Sequence, residues 1–178
     1  PENVFLCRGS RLQLKILDFG ISKIRNDVTA ITQDATLLGT PDFMSPEQAR
    51  GEIDAIDARS DVFALAGIAY LAITGRRPFA ASSVPALLRR ICDEEPLPPE
   101  RLRPDLPAAT ATVLALGLAK RASERFADAT AFSSALAASV SGDLDPALAR
   151  RAAELYRGPV ASVTDSSAIS VADTDHAV

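Results

Sequence analysis

The stretch "VFALAGIAYLAI", residues 62–73, constrains this chain more than any other. It carries no charged side chain and is apolar on every face that a helix would present. A bilayer span needs about 20 such residues, so the run is too short to cross one. It reads as a helix buried on all sides in a soluble protein. Ser60 or Asp61 reads as its start and Gly75 as its stop. The remaining chain has to supply the surrounding body. With 47% hydrophobic residues among 178, it can build a real core of one ordinary domain.

Ahead of this helix, "NVFLCRGSRLQLKIL" reads as a β-hairpin. Val4–Leu6 is a short strand, "RGS" is the turn, and Leu12, Leu14 and Ile16 alternate with polar residues. No period is sustained from Ile21 to Gly39, which reads as a long loop. Helical signals follow. "SPEQAR" offers Ser45 as N-cap, Pro46 at the first helical position and Gln48 to complete a capping box. After the apolar helix, "SSVPALLRRICD" predicts a third helix starting at Ser82 or Ser83. "EEPLPPERLRPDLP" is Pro-rich and predicts irregular chain, since each Pro removes a donor and fixes its own φ. "AATATVLALGLAK", then "DATAFSSALAASV" capped by Asp128, predict a fourth and a fifth helix. "DPALARRAAELY" predicts a sixth, with Pro146 in its first turn. From Gly158 onward the chain is small, polar and acidic, a composition that predicts disorder. The fold class is thus mainly α with a small β-hairpin.

Charge and cysteines exclude some classes. Net charge is −4, and no basic stripe argues for a nucleic-acid partner. Cys7 and Cys92 are far apart and lack metal spacing, which points to a reducing, cytoplasmic setting without disulfides. His176, the single histidine, lies in the tail, so no His-based triad or metal cluster is available.

Five motifs occur in a fixed order: "PEN", "DFG", "GTPDFMSPE", "ARSDVFALAGIAYLAITGRRPF" and "LAKRASERFADA". Alone, "DFG" is a weak match. The ordered set resembles the eukaryotic-type Ser/Thr protein kinases, especially their bacterial members. The resemblance covers residues 1–140, which it implies are a kinase C-terminal lobe; by residue pattern and composition, a further helix in 141–157 and a disordered tail or linker in 158–178 are expected to follow. It implies transfer of the ATP γ-phosphate to Ser or Thr hydroxyls of protein substrates.

The same resemblance assigns roles residue by residue. Asn3 and Asp18 match the family's Mg²⁺ ligands and so belong to the ATP site; hard cations take oxygen donors, and these side chains supply an amide oxygen and a carboxylate. They lie at one end of the hairpin, although either residue read alone is an ordinary turn residue. Phe19 matches the aromatic that reports active or inactive loop states, and Gly20 gives the backbone its freedom there. Thr40 matches the Thr that contacts the catalytic Asp in Ser/Thr-specific kinases; read alone it is a turn Thr before Pro41. Thr29, Thr32 and Thr36 lie in the activation loop, where a phosphate could order the segment by pairing with Arg or Lys; otherwise they are solvated threonines. Glu47 is expected to form a buried, bidentate ion pair with Arg125, a structural join. Asp61 matches the helix-start Asp that accepts amide hydrogen bonds from the catalytic loop, and it equally suits the helix dipole. Phe43, Ser45 and Ala66 stand where the family usually has Tyr, Ala and Gly.

The family's Gly-rich loop, β3 Lys and His-Arg-Asp triplet are not in this sequence. The expectation is therefore a partial domain that is inactive alone within an active parent. The alternative is a non-catalytic pseudokinase scaffold. No membrane segment is expected within the 178 residues, and whether the parent is anchored beyond Val178 is left open.

Overall fold

The computed structural model describes residues 4–8, 12–16, 41–143 and 145–155. Two antiparallel strands come first, β1 (Val4–Arg8) and β2 (Leu12–Ile16), in a register that pairs Val4 with Ile16 and Arg8 with Leu12. β1 runs two residues beyond the Leu6 end expected from alternation.

Six α-helices follow among the described residues: α1 (Pro46–Arg50), α2 (Ala58–Thr74), α3 (Val84–Asp93), α4 (Ala108–Gly117), α5 (Ala129–Val140) and α6 (Pro146–Leu155). Local chemistry explains their ends. At α1, Ser45 and Gln48 form the reciprocal capping box, with the Ser45 N–H donating to Gln48 Oε1 at 2.9 Å. At α3, Ser83 caps by accepting from the Ala86 N–H. At α5, Asp128 accepts from the Ala131 N–H at 2.8 Å. Gly75 ends α2 in the left-handed region at φ 73°, where a Cβ would be strained.

Two helix boundaries also differ from the sequence expectation. α2 starts at Ala58, ahead of Ser60 and Asp61, because Asp57 caps it by accepting from the Arg59 N–H at 2.8 Å. Ser60 is thereby released as a cap, and its hydroxyl is spent elsewhere. α4 stops at Gly117 and does not reach Lys120. The Pro-rich segment is irregular apart from one 3₁₀ turn, Pro99–Arg101.

The core is organised around α2. Val62, Phe63, Ala66 and Tyr70 pack with Val113, Leu114 and Leu116 of α4 and Phe132 of α5. Ala66 and Gly117 explain one another. A Cβ on Gly117 would stand 2.6 Å from the Ala66 methyl, so α4 approaches α2 this closely only through a glycine. Enclosure of α2 is not complete among the described residues. One face, carrying Asp61, Leu65 and Ala72, is exposed. No helix among the described residues is long and apolar enough to cross a membrane. Cys7 and Cys92 are free, half-buried thiols.

Candidate functional site

The structure brings Glu47 and Arg125 together across 78 positions of sequence. Arg125 Nη1 donates to Glu47 Oε1 at 2.7 Å and Nη2 donates to Oε2 at 2.8 Å, a bidentate fork. A guanidinium has five N–H donors. The other three go to main-chain carbonyls: Nε to Ala119 at 2.8 Å, Nη1 to Arg59 at 3.0 Å and Nη2 to Lys120 at 3.1 Å. The same guanidinium lies 5.0 Å from the centre of the Phe63 ring. Arg125 is 2% exposed and Glu47 4%, so both charges are out of water and every N–H of the guanidinium is satisfied.

Ser60 completes the carboxylate's shell by donating its hydroxyl to Glu47 Oε1 at 2.5 Å. Burial alone pushes the Glu47 carboxyl up. The Arg125 hydrogen bonds, then that of Ser60, a backbone N–H and the guanidinium charge together outweigh burial and hold it at about 2. The loop that carries Arg125 is held in turn. Arg151 of α6 donates to the Arg125 carbonyl at 2.5 Å, and Lys120 donates to the Ile91 carbonyl at 2.8 Å with its Nζ 4.0 Å above Phe79. Burial, opposed chiefly by the charge of Glu95, pushes the Lys120 ammonium down to about 8.

A second carboxylate of the same segment is also buried. Asp42 sits in the short 3₁₀ turn Pro41–Phe43 and is 5% exposed. Its Oδ2 lies 2.8 Å from Arg77 Nη1, and the Arg77 side chain is 52% exposed. Beside it, Phe43 packs against α2 where Gly67 leaves room; a Cβ there would be 3.0 Å from the ring. The Met44 N–H closes the turn on the Pro41 carbonyl at 3.1 Å.

Of the residues singled out from sequence, the structure thus places Glu47, Arg125 and Asp61. The first two form the join; Asp61 is exposed in the first turn of α2. Asn3, Asp18, Phe19, Gly20, Thr29, Thr32, Thr36 and Thr40 lie outside the described residues. Sequence reasoning missed Asp42, Arg77, Lys120 and Arg151, and it read Ser60 only as a helix start. Asp42 did leave a signal: it is the one charge inside the otherwise uncharged "GTPDFMSP".

Taken together, the pair between "SPE" and "SERF" and the turn ahead of it form a mechanical join without a nucleophile or base. Comparison with known proteins says what is joined. Residues 1–129 match the family described as protein kinase domain. The chain belongs to that family. Its relatives include the serine/threonine-protein kinase Pkn1 of Myxococcus xanthus, 38% identical over 138 residues that make up 76% of this chain and 20% of the relative. The serine/threonine-protein kinase PknB of Mycolicibacterium smegmatis is 36% identical over 71% of this chain and 20% of its own length. The tyrosine-protein kinase MasK of Myxococcus xanthus is 38% identical over 76% of this chain and 20% of its own length. The chain therefore spans about a fifth of the length of these relatives. The mainly helical body is the C-terminal lobe of a protein kinase fold, and the kinases it resembles are bacterial. Kinases of this family use ATP and Mg²⁺.

Proposed function

We propose that this chain supplies the C-terminal lobe of a bacterial protein kinase that transfers the ATP γ-phosphate to Ser or Thr hydroxyls of protein substrates. The observation that carries this reading is the buried Glu47–Arg125 pair. It fastens the end of the segment that leads from "DFG" to "SPE" onto the helical body, in a chain whose family match spans both residues. Phosphoryl transfer asks a protein chiefly for positioning and charge stabilisation, and such a join is a positioning device.

The remaining roles follow from the motifs. Asn3 and Asp18 would hold Mg²⁺ for the ATP site; an amide oxygen and a carboxylate are hard donors that suit this ion. The β1–β2 register supports the pairing. Val4 lies opposite Ile16, so the strand ends that lead to Asn3 and Asp18 are at the same end of the hairpin. When bound, Mg²⁺ neutralises charge on the phosphates. Thr40 contacts the catalytic Asp and favours Ser and Thr hydroxyls, a choice that matters because the relatives carry both serine/threonine and tyrosine kinase names. Phe19 and Gly20 set the loop state, and a phosphate on Thr29, Thr32 or Thr36 orders the loop. The exposed face of α2 at Asp61 and Leu65 is the seat of the catalytic loop.

The test is an assay of the completed protein with Mg²⁺·ATP and Ser-, Thr- and Tyr-containing peptides. Transfer to the Ser and Thr peptides is expected, with a loss on the order of a hundredfold or more in Asp18→Ala. The 178-residue chain holds no His-Arg-Asp triplet and is expected to transfer none by itself. Transfer by Asp18→Ala at the wild-type rate, or a completed protein that binds ATP and transfers nothing, would overturn the reading. The second result would leave a scaffold.

A further inference from the structure

We infer that Asp42 and Arg77 are a positioning pair for the protein substrate, setting the turn that follows Thr40; this rests on the kinase reading above. Three features of the turn carry the inference. First, Asp42 is a carboxylate held 5% exposed, in a turn where both Pro41 and Asp42 are buried. Burying a charge is costly unless it is paired. Its ionic partner among the described residues is Arg77 Nη1, 2.8 Å away. Second, the turn is tethered at two separate points, one on α2 and one on the loop that follows it. Phe43 packs against Gly67 in mid-helix, while Arg77 lies beyond the Gly75 stop. One tether would leave a hinge; two fix the turn's orientation. Third, the turn opens on Pro41, whose ring fixes its own φ, and Thr40 is the residue directly before it in sequence.

The Glu47–Arg125 join cannot do this by itself. It holds the far side of the segment, on α1, beyond the cap at Ser45. The near side, the turn that Thr40 precedes in sequence, is held by Phe43 on α2 and by Asp42 on Arg77. An apolar residue would fill the buried site without a desolvation cost. A charge there, aimed at a half-exposed arginine, adds direction to the contact.

In the completed kinase, we would measure steady-state constants for a phosphorylatable peptide and for ATP in Asp42→Asn, Arg77→Met and Arg77→Lys. Arg77 is half-exposed, so its variants test the pair even if Asp42→Asn folds poorly. In Arg77→Met and Asp42→Asn, the peptide KM should rise about tenfold or more while the ATP KM stays within twofold, since misplacing a positioning element acts on the substrate it orients. Arg77→Lys should recover most of the peptide KM. If Arg77→Met keeps the wild-type peptide KM, the inference fails. It fails equally if both KM values and the melting temperature move together, which is what a merely structural contact would produce. A wild-type protein without transferase activity overturns the kinase reading itself, a result distinct from either.

Discussion

Glu47 and Asp42 are five positions apart on one segment, and both are carboxylates at most 5% exposed. Their partners are opposites. Arg125 is sealed in the core with each of its five N–H groups bonded, and its loop is braced from α6 by Arg151. Arg77 stands half in water in the loop just after α2. A pair of the first kind is strongly destabilising to break, because the survivor is left as an uncompensated buried charge. A pair of the second kind loses much of its strength to solvent and salt. Two ion pairs on one segment can thus divide the work. One welds the segment to the helical body; the other sets the attitude of a turn at modest cost to stability.

The largest expected effect is at the weld. Arg125→Met should cost about 3–5 kcal/mol, since it leaves the buried Glu47 carboxylate without its counter-charge, with Ser60 as its remaining side-chain donor. Urea unfolding of the chain monitored by circular dichroism would show it. A loss below about 1 kcal/mol, the range of a surface pair, would erase the contrast with Asp42.

A pH dependence sharpens the same contrast. Glu47 is held at about 2, below its ordinary value of 4.5. A carboxyl depressed in the folded state contributes stability that is full above the unfolded value and lost as pH falls through the folded one. Wild-type stability should therefore fall between about pH 4.5 and pH 2 more steeply than that of Glu47→Gln. Unfolding curves taken across that window would read the difference. Parallel curves for the two proteins would show that the Glu47 charge contributes nothing to folding.

Much of this architecture was legible in the sequence because it rests on local chemistry. Ser45, Pro46 and Gln48 write a cap, and Gly75 writes a stop, with no help from the tertiary fold. The Glu47–Arg125 pair was legible in another way, through the order of five motifs, since nothing local links residues so far apart. What escaped were contacts set by packing. Ser60 looked like a helix cap until Asp57 took that place, which freed the hydroxyl for Glu47. Ala66 looked like a small departure from the family pattern, and its counterpart is Gly117 on another helix. Asp42 carried a visible signal, one of only two charges in "GTPDFMSPE", but its partner lies beyond the end of α2 and no spacing rule leads there. Lys120 and Arg151 bond to main-chain carbonyls, which every residue offers and no sequence distinguishes.

The central claim is that the two ion pairs differ in kind. Parallel double-mutant cycles on the same chain test it most directly, one with Glu47→Gln and Arg125→Met, the other with Asp42→Asn and Arg77→Met. The expected coupling energy is about 3 kcal/mol or more for the buried pair. For Asp42 and Arg77, where the arginine is half in water, it should be smaller and should shrink as salt is raised. Equal couplings with the same salt dependence would contradict the account.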